Sequence, residues 1–293
     1  MIQYVLRVVK RFAILIPGLI IAYFSVHDIF PYLNEELPWT VAILITYVLA
    51  AYILIPAAIR LIRIIHPPKH LPLYCVTPDG LASDPLNIGI IGTRRELINA
   101  MQDAGWEVSD RHSIRNMLRL VYSHILKLSY PNAPVSSLYL FGRKQDIAFE
   151  VQPKGSSASR HHVRFWATTY DSSKKFSIQT IHWHNRSKHV FGDNVLWVGA
   201  ASRDVGVSII RHNFQPSHMI DPDTDTEREL IAAQLRKMKL VKKIDAIKLD
   251  KPYKLVNRVW RGSLHSDGKM KIVTLRQNPR VMSINRRSRS RSQ

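Results

Sequence analysis

The deciding stretch of this sequence is residues 39–59, WTVAILITYVLAAYILIPAAI. Apart from two tyrosines it has no ionisable side chain, and a helix of this length crosses a hydrocarbon core of about 30 Å. A second apolar run, Phe12–Val26, precedes it. A backbone inside hydrocarbon must satisfy its own hydrogen bonds, so both runs are predicted to be helical. The sequence therefore predicts a transmembrane hairpin over residues 1–66, with spans near 12–30 and 39–59.

Charged residues around the two runs predict the orientation of the hairpin. Lysine and arginine flank it on both outer sides, whereas the connector His27–Pro38 carries only acidic charges. These residues are Arg7, Lys10 and Arg11 before the first run, Arg60, Arg63 and Lys69 after the second, and Asp28, Glu35 and Glu36 between them. Since basic residues stay on the cytoplasmic side, both termini are predicted to be cytoplasmic. A cleaved signal peptide is the alternative, but Tyr23–His27 offers no convincing small-residue cleavage site.

The rest of the chain is strongly basic. Of the net charge of +20, residues 70–278 contribute 31 basic and 19 acidic groups, and the tail 279–293 contributes five arginines. Such an excess beside a membrane matches the negative inner leaflet, where each nearby Lys or Arg contributes about 1 kcal/mol. The tail is predicted to be disordered, and lipid contact is favoured over nucleic-acid binding because the anchor already holds it near that surface. The single Cys75 excludes an internal disulfide and suits a reducing compartment.

A proline-rich linker is predicted over residues 67–85, and one soluble domain over residues 86–278. Helical periodicity and capping residues predict about three helices in this domain. They are one opened by a capping box of Thr93 and Glu96 and ended at Gly105, one from Ser113 carrying Met117, Leu118, Val121, Ile125 and Leu128, and one opened by a capping box of Thr224 and Glu227.

A continuous apolar run predicts the first strand of the same domain, and period-two alternation predicts the others. They are Leu86–Ile91, Val135–Phe141, Asp146–Val151, His161–Thr169, Ser177–His184, Val195–Ala201, Gly206–His212, Lys254–Arg261 and Met270–Leu275. The second and third are predicted to form a hairpin around Gly142–Gln145. Strands outnumber helices and several are joined by short turns, which indicates an α+β fold on a largely antiparallel sheet.

Histidines are the main candidates for metal ligands. Alternation places His162, Arg164 and Trp166 on one face of their strand and Phe165 on the other. Imidazoles at positions i and i+2 of a strand can ligate one metal, and a further His and Asp can add ligands. The candidates on this basis are His162, His182, His184, His218 and Asp221. No spacing among them matches a standard zinc signature, and solvated histidines on the polar face of a sheet are the more economical interpretation. The sequence identifies no cofactor.

Arginines on or beside the predicted strands are the second set of candidates. They are Arg143, Arg160, Arg164, Arg203 and Arg211. Convergent guanidinium groups would suit a phosphate or a carboxylate, whereas paired surface charge is the alternative for Arg203 and Asp204. The sequence contains no Gly-x-Ser-x-Gly element and no phosphate-binding loop.

Five blocks in consistent order between Pro72 and Leu240 resemble the LssY C-terminal domain family. They are PLNIG (85–89) leading to AGW (104–106), LFGRKQDIAF (140–149), RHHVRFW (160–166), LWVGAASRDVG (196–206) and HMIDPDTDTER (218–228). The resemblance implies a bacterial, membrane-associated protein and hence the inner membrane. Some members carry this domain behind a lipid-phosphatase-type membrane domain. That activity is not implied here, because the phosphatase Pro-Ser-Gly-His element is absent and Ile209 stands where a histidine would follow Ser202 and Arg203.

The resemblance also nominates a polar site without assigning it a reaction. Its residues would be Arg143, Asp146, His161, His162, Arg164, Arg203, Asp204, His218, Asp221 and Asp225. Three functions fit the sequence. The first is binding or sensing of an anionic ligand, such as a lipid headgroup, or of another membrane protein. The second is a hydrolase, metal-dependent or not, acting on a phosphorylated or lipid substrate, and the third is a scaffold in a membrane complex. Whether the chain is an enzyme stays open at this point.

Overall fold

The computed structural model describes residues 16–65, 71–78, 80–110, 113, 115–116, 118–119, 122, 126, 130, 132–140, 142–152, 160–169, 195–209, 216–257 and 262–276. The predictions made for the tail 279–293 and for the strand Ser177–His184 lie outside these residues. The chain divides into two compact units, one built on the N-terminal helices and one on the domain that follows.

Two helices long and apolar enough to cross a bilayer occur in the described part of the chain. Helix α1 is Ile16–Glu36, and α2 consists of Trp39–Val48, a π-helical turn Leu49–Leu54 and Ile55–Ile65. Only 6% and 11% of their apolar windows is buried, whereas the core helix of a soluble protein buries most of such a window. The two helices therefore support membrane anchoring.

The connector predicted at His27–Pro38 is wrong in its extent. Helix α1 continues to Glu36, so that only Leu37 and Pro38 separate the two helices. A π-helical turn at Ser25–Ile29 ends two residues before Pro31. Since a π turn already departs from the i to i+4 hydrogen-bond pattern, the missing N–H of proline does not end the helix there.

The soluble domain contains fourteen strands among its described residues. They are β1 (Tyr74–Val76), β2 (Ala82–Pro85), β3 (Ile88–Gly92), β4 (Glu107–Val108), β5 (Tyr139–Leu140), β6 (Arg143–Lys144), β7 (Ile147–Val151), β8 (Arg160–Thr169), β9 (Val195–Ile209), β10 (Pro216–Ile220), β11 (Val241–Lys248), β12 (Tyr253–Asn257), β13 (Gly262–Ser266) and β14 (Lys269–Leu275). Together with the helices Arg94–Asp103 and Thr224–Lys237 and the helical residues 115–116, 118–119 and 122, they give the predicted α+β class.

An eight-stranded main sheet organises the domain. Its order is β11-β14-β3-β9-β8-β7-β4, and β10 pairs with the far half of β9. Every pair is antiparallel except β14 with β3. Asp204 of β9 faces Arg160 of β8 and Ile220 of β10, so β8 and β10 lie on opposite sides of β9. Smaller sheets have the orders β2-β1-β5-β6 and β12-β13.

The strand registers define two ends of the main sheet. At one end, which we name the Gly92 end, Gly92 pairs with Val195, and the neighbouring strands reach Leu275 and Val241. At the other end, which we name the Asp204 end, Asp204 pairs with Arg160.

Helix α3 (Arg94–Asp103) confirms the predicted capping. The Thr93 hydroxyl accepts from the Glu96 N–H, and the Glu96 carboxylate accepts from the Thr93 N–H. At the far end Gly105 has φ +89°, and Trp106 donates from its backbone to Met101 and is buried. Glycine adopts this left-handed conformation without steric cost, which makes it the helix stop.

Helix α4 (Thr224–Lys237) begins as predicted, but its predicted capping box is wrong. Asp223 is the N-cap, and its carboxylate accepts from the N–H groups of Asp225 and Thr226. The Glu227 side chain instead contacts His161 of β8. A short aspartate one residue upstream already satisfies the free N–H groups, which leaves Glu227 for a tertiary contact.

The main sheet is buried on both faces. On its helix face, Phe149, Val163, Phe165 and Trp197 pack in one core cluster with residues of α3 and α4. On its opposite face, Trp166 and Val198 pack in a second cluster with residues of the small sheet and of β14. The predicted alternation of β8 is confirmed, because Phe165 and Trp166 belong to different clusters.

Three strand predictions differ from the structure. The predicted hairpin of Val135–Phe141 with Asp146–Val151 is wrong, since β5 pairs with β6 while β7 pairs with β8. The two strands predicted on either side of Ser202 form one continuous strand, β9. Strand β11 was not predicted, because its sequence VKKIDAIK lacks a clear period of two.

Candidate functional site

A row of polar side chains crosses the face opposite the helices. Glu150 of β7 pairs with His162 of β8, which pairs with Ser202 of β9. Since facing residues of neighbouring strands point to the same side of a sheet, their side chains form one row. In the next row Arg160 faces Asp204. The polar network is therefore built from alternate residues of three adjacent strands.

Asp84 of β2 closes the network from the small sheet. Its Oδ2 accepts from the Ser202 hydroxyl at 2.9 Å and from Arg164 Nη1 at 2.7 Å. Arg164 also donates to the carbonyl and the hydroxyl of Ser136, at 3.1 and 3.0 Å. Asp84, His162, Arg164 and Ser202 are each at most 3% exposed. Burial alone would raise the pKa of Asp84, but Arg164 and the hydrogen bonds from His162 and Ser202 outweigh it and hold that pKa below its usual value.

Glu150 points to the same face of the sheet but has fewer polar partners than Asp84. Arg160 Nη1 is 3.7 Å from its Oε2, and its Oε1 has no hydrogen-bond partner among the described residues. Burial raises the pKa of Glu150 to about 8, against the opposing effect of Arg160 and with further increases from Asp204, Glu107 and Asp110. Glu150 is therefore largely protonated at neutral pH, which avoids a buried and poorly compensated negative charge.

His162 connects the two halves of the network. Its Nε2 lies 2.8 Å from Ser202 Oγ and 3.5 Å from Asp84 Oδ2, and its Nδ1 lies 3.5 Å from Asp204 Oδ1. Because the Ser202 proton is directed to Asp84, we assign the Nε2–H of His162 as the donor to Ser202 Oγ. Ser202, His162 and Asp204 have the order of a nucleophile, a base and an orienting acid. Ser202 is fully buried, however, and its proton is committed to Asp84.

Four of the nominated residues hold turns or helix ends instead. Arg143 pairs with Asp146 at 2.7 Å, and both bind the backbone of Ala167. Asp225 accepts from the Asp267 N–H at 2.6 Å, and the Asp221 carboxylate accepts from the Asp223 N–H at 3.0 Å. These contacts fix local backbone and leave little capacity for a ligand.

The histidines do not gather at one place. His161 faces the helix side and lies 2.8 Å from Glu227, which is 3% exposed. His218 pairs in register with Val207, five residues further along β9 than Ser202, which is about 17 Å at the usual rise of a strand. The backbone positions of His162 and His218 are therefore well separated in the main sheet. His182 and His184 lie outside the described residues, and the described residues contain no group of three His, Cys, Asp or Glu side chains that could hold a metal ion.

Arg203 is exposed, and its carbonyl accepts from the Asp221 N–H at 2.8 Å. Sequence reasoning missed Asp84, which falls in the predicted linker and carries no local signal. It also missed Arg228, which is 4% exposed and pairs with Asp267 at 3.0 Å. Glu150 carried a detectable signal, since it occupies the polar position of an otherwise apolar strand.

A cationic surface lies at the Gly92 end of the main sheet, where α4 ends and β11 begins. We name it the cationic end; its exposed residues are Arg95, Arg236, Lys237, Lys239, Lys242, Lys243 and Arg276. Among the described residues, only Lys243 of this set has an ion pair, with Asp245 at 2.8 Å. The register of β11 shifts between Val241 and Lys243, so that two successive lysines are exposed. Met238 lies within the same surface and is 47% exposed.

Comparisons with curated proteins and with solved structures find no match to this chain. A family model described as LssY C-terminus does match, over residues 68–270. The match spans more than half of the chain and contains the polar network as well as the segment Arg236–Lys243. It confirms the resemblance found in the five sequence blocks. The chain belongs to the LssY C-terminus family.

Proposed function

We propose that this protein is anchored in the bacterial inner membrane by α1 and α2 and that the cationic end of its domain binds anionic lipid headgroups on the cytoplasmic side. The orientation follows from the basic residues outside the hairpin and the acidic residues between the helices. This proposal develops the anionic-ligand function that the net charge suggests.

The observation that carries the proposal is how the cations are distributed. Arg143, Arg164 and Arg228 each have an acidic partner within 3.0 Å. These arginines are neutralised within the fold and are poor candidates for an outside anion. The cationic end instead presents seven exposed basic side chains, of which only Lys243 has an acidic partner among the described residues, in a pair whose lysine is 67% exposed. Each basic side chain contributes about 1 kcal/mol near an anionic membrane at low salt.

Structural roles explain only part of this surface. Arg236 and Lys237 occupy the last turn of α4, where cations stabilise the helix dipole. Lysines on an edge strand such as β11 also discourage pairing with other chains. Neither role requires Lys239 in the turn, and neither requires the register shift that exposes both Lys242 and Lys243. A large anionic surface explains the whole set.

The proposal is tested with the full chain reconstituted in vesicles and with an environment-sensitive fluorophore at Met238→Cys. Native Cys75 is fully buried and burial raises the pKa of its thiol, so labelling is selective for the new cysteine. We expect the emission to shift when phosphatidylglycerol is added to phosphatidylcholine, and the shift to disappear as salt is raised.

A probe at Lys251→Cys, exposed beyond the other end of β11, is the matched control and should show no shift. Equal emission of the Met238→Cys probe in neutral and anionic vesicles would count decisively against the proposal.

A hydrolase function is favoured by one geometric feature, the contact of Ser202 Oγ with His162 Nε2 at 2.8 Å. Acyl transfer needs a nucleophile that a substrate can reach, and Ser202 is 0% exposed. Treating the protein with a fluorophosphonate probe tests this alternative. Labelling of Ser202 that is lost in His162→Gln would establish it over the lipid-binding proposal.

A further inference from the structure

A second surface with membrane chemistry follows β4. The described residues Arg115, Asn116, Leu118, Arg119 and Tyr122 are helical, and the Leu126 N–H donates to the Tyr122 carbonyl at 3.0 Å. The Ser113 hydroxyl accepts from the Asn116 N–H at 3.1 Å, as an N-cap does. The segment was predicted as a helix from Ser113, and Leu118, one of the residues that give it helical periodicity, is exposed.

Three large apolar side chains are exposed along one line of this segment. Leu118 is 66% exposed, Tyr122 62% and Leu126 48%. Their spacing of four residues places them on one side of a helix. We name this set the apolar stripe. A contiguous exposed set of this kind marks an interaction surface, since isolated exposed apolar residues are common but aligned ones are not.

The charge around the apolar stripe points to an anionic partner. Residues 113–128, SIRNMLRLVYSHILKL, contain two arginines and one lysine and no acidic residue. Arg115 and Arg119 are both exposed. A basic amphipathic segment with leucine and an aromatic residue on its apolar side is typical of helices that lie in the membrane interface.

The domain holds the apolar stripe in place. The Arg119 guanidinium lies 4.3 Å from the ring centroid of Tyr130, which is 3% exposed, and the Tyr130 hydroxyl donates to Asp110 at 2.6 Å. Along β4, Glu107 pairs with Glu150 and Val108 pairs with Phe149. The Ser109 N–H then donates to the Ala148 carbonyl, one residue further along β7. The chain therefore enters the segment heading toward the Gly92 end, the end that carries the cationic surface.

We propose that the apolar stripe inserts into the interface of the anionic leaflet, with Leu118, Tyr122 and Leu126 below the headgroups and Arg115 and Arg119 at the phosphates. The inference rests on the proposed membrane docking of the domain but uses a different source of free energy. Apolar burial is not screened by salt, whereas the attraction of the cationic end is.

The test uses the full chain in vesicles of phosphatidylcholine and phosphatidylglycerol that carry a spin-labelled lipid with the label near the headgroup. A fluorophore at Leu118→Cys should lose most of its emission, and the loss should persist at high salt. A fluorophore at Glu107→Cys, exposed on β4 just before the segment, is the control and should keep its emission. Replacing both Tyr122 and Leu126 by Gln should restore the emission of the Leu118→Cys probe.

The outcomes separate the two proposals. An unquenched Leu118→Cys probe beside a responsive Met238→Cys probe overturns this inference and leaves the headgroup proposal standing. Failure of both probes overturns both. A Leu118→Cys probe that shifts with protein concentration but is not quenched by the spin-labelled lipid identifies a second copy of the chain as the occupant and overturns insertion. Equal quenching of the Glu107→Cys control also overturns it.

Discussion

The two ends of the main sheet carry charge in opposite ways. At the Asp204 end, Asp84, Arg164 and His162 are buried and linked to one another at hydrogen-bond distance. At the cationic end, Lys239 and Lys242 are exposed and have no ion pair with any described residue. Buried pairs of opposite charge hold strands together, whereas exposed charges of one sign are available to a partner. The comparison separates charged residues that have partners within the fold from charged residues that we propose bind lipid headgroups.

The largest effect is expected at Arg164. Replacing it by Met leaves the Asp84 carboxylate buried without its cation, which costs about 3–5 kcal/mol of unfolding free energy. Thermal unfolding of the full chain in detergent, followed by fluorescence of the buried tryptophans, measures this loss. Adding Asp84→Asn to Arg164→Met should recover part of it. If the single variant unfolds like the wild type, the buried network does not hold the two sheets together.

Glu150 sharpens the comparison through its pH dependence. Its pKa of about 8 in the folded state lies above the 4.5 of the unfolded chain, so folding favours the protonated form. The contribution of Glu150 to the free energy of unfolding is therefore largest below about pH 4.5, declines as the pH rises toward 8, and is constant above that. Glu150→Gln should remove this decline and be more stable than the wild type at pH 8 and above.

Unfolding temperatures of the two proteins from pH 5 to pH 9 measure the difference. Asp103→Asn, which removes an exposed carboxylate of α3 that is not among the groups shifting the Glu150 pKa, is the control and should show the wild-type pH profile. Five other charged or titratable groups surround Glu150, namely Arg160, Asp204, Glu107, Asp110 and His162. If the pH profile of Glu150→Gln runs parallel to that of the wild type, the decline belongs to one of these groups and not to Glu150.

The cationic end should respond in binding and not in folding. Lys242→Gln together with Lys243→Gln removes two charges, each contributing about 1 kcal/mol, or about fivefold in affinity, at low salt. Titrating the phosphatidylglycerol content of the vesicles with the Met238→Cys probe measures the shift. Lys248→Gln with Lys251→Gln carries the same charge change about 17 Å or more away along the strand direction and should leave the titration unchanged.

The smallest effect is expected for the one ion pair of the cationic end. Lys243 and Asp245 are 2.8 Å apart, but the lysine side chain is 67% exposed. An exposed pair contributes about 0–1 kcal/mol, so Lys243→Met should change the unfolding temperature little. A loss as large as that of Arg164→Met would remove the distinction between the two ends.

Local features of the fold could be predicted from the sequence. The capping box of Thr93 and Glu96, the stop at Gly105 and the alternation of β8 each depend on residues a few positions apart. Pairing between distant strands could not. The hairpin predicted around Gly142–Gln145 obeyed every local rule, yet β7 is buried more completely beside β8 in the main sheet.

The candidate site was predictable in part for the same reason. The position of His162 and Arg164 on one face followed from the period of a strand. Their acidic partner Asp84 lies about 80 residues earlier in the chain, in a segment predicted to be a linker. A sequence pattern gives the charges without their partners, so it cannot distinguish Arg164, which pairs with Asp84, from Lys242, which has no ion pair with a described residue.

Strand β14 is the last described strand of the chain, yet it lies beside β3, the first strand of the main sheet, with about 180 residues between paired positions. Synthesis of the hairpin helices precedes synthesis of the domain, so the anchor reaches the bilayer while β3 still has an open edge. That edge is closed only once β14 has been synthesised, and a pairing between such distant segments is expected to form slowly. A premature stop before Lys269 would leave an anchored, unfinished sheet as a substrate for membrane proteases.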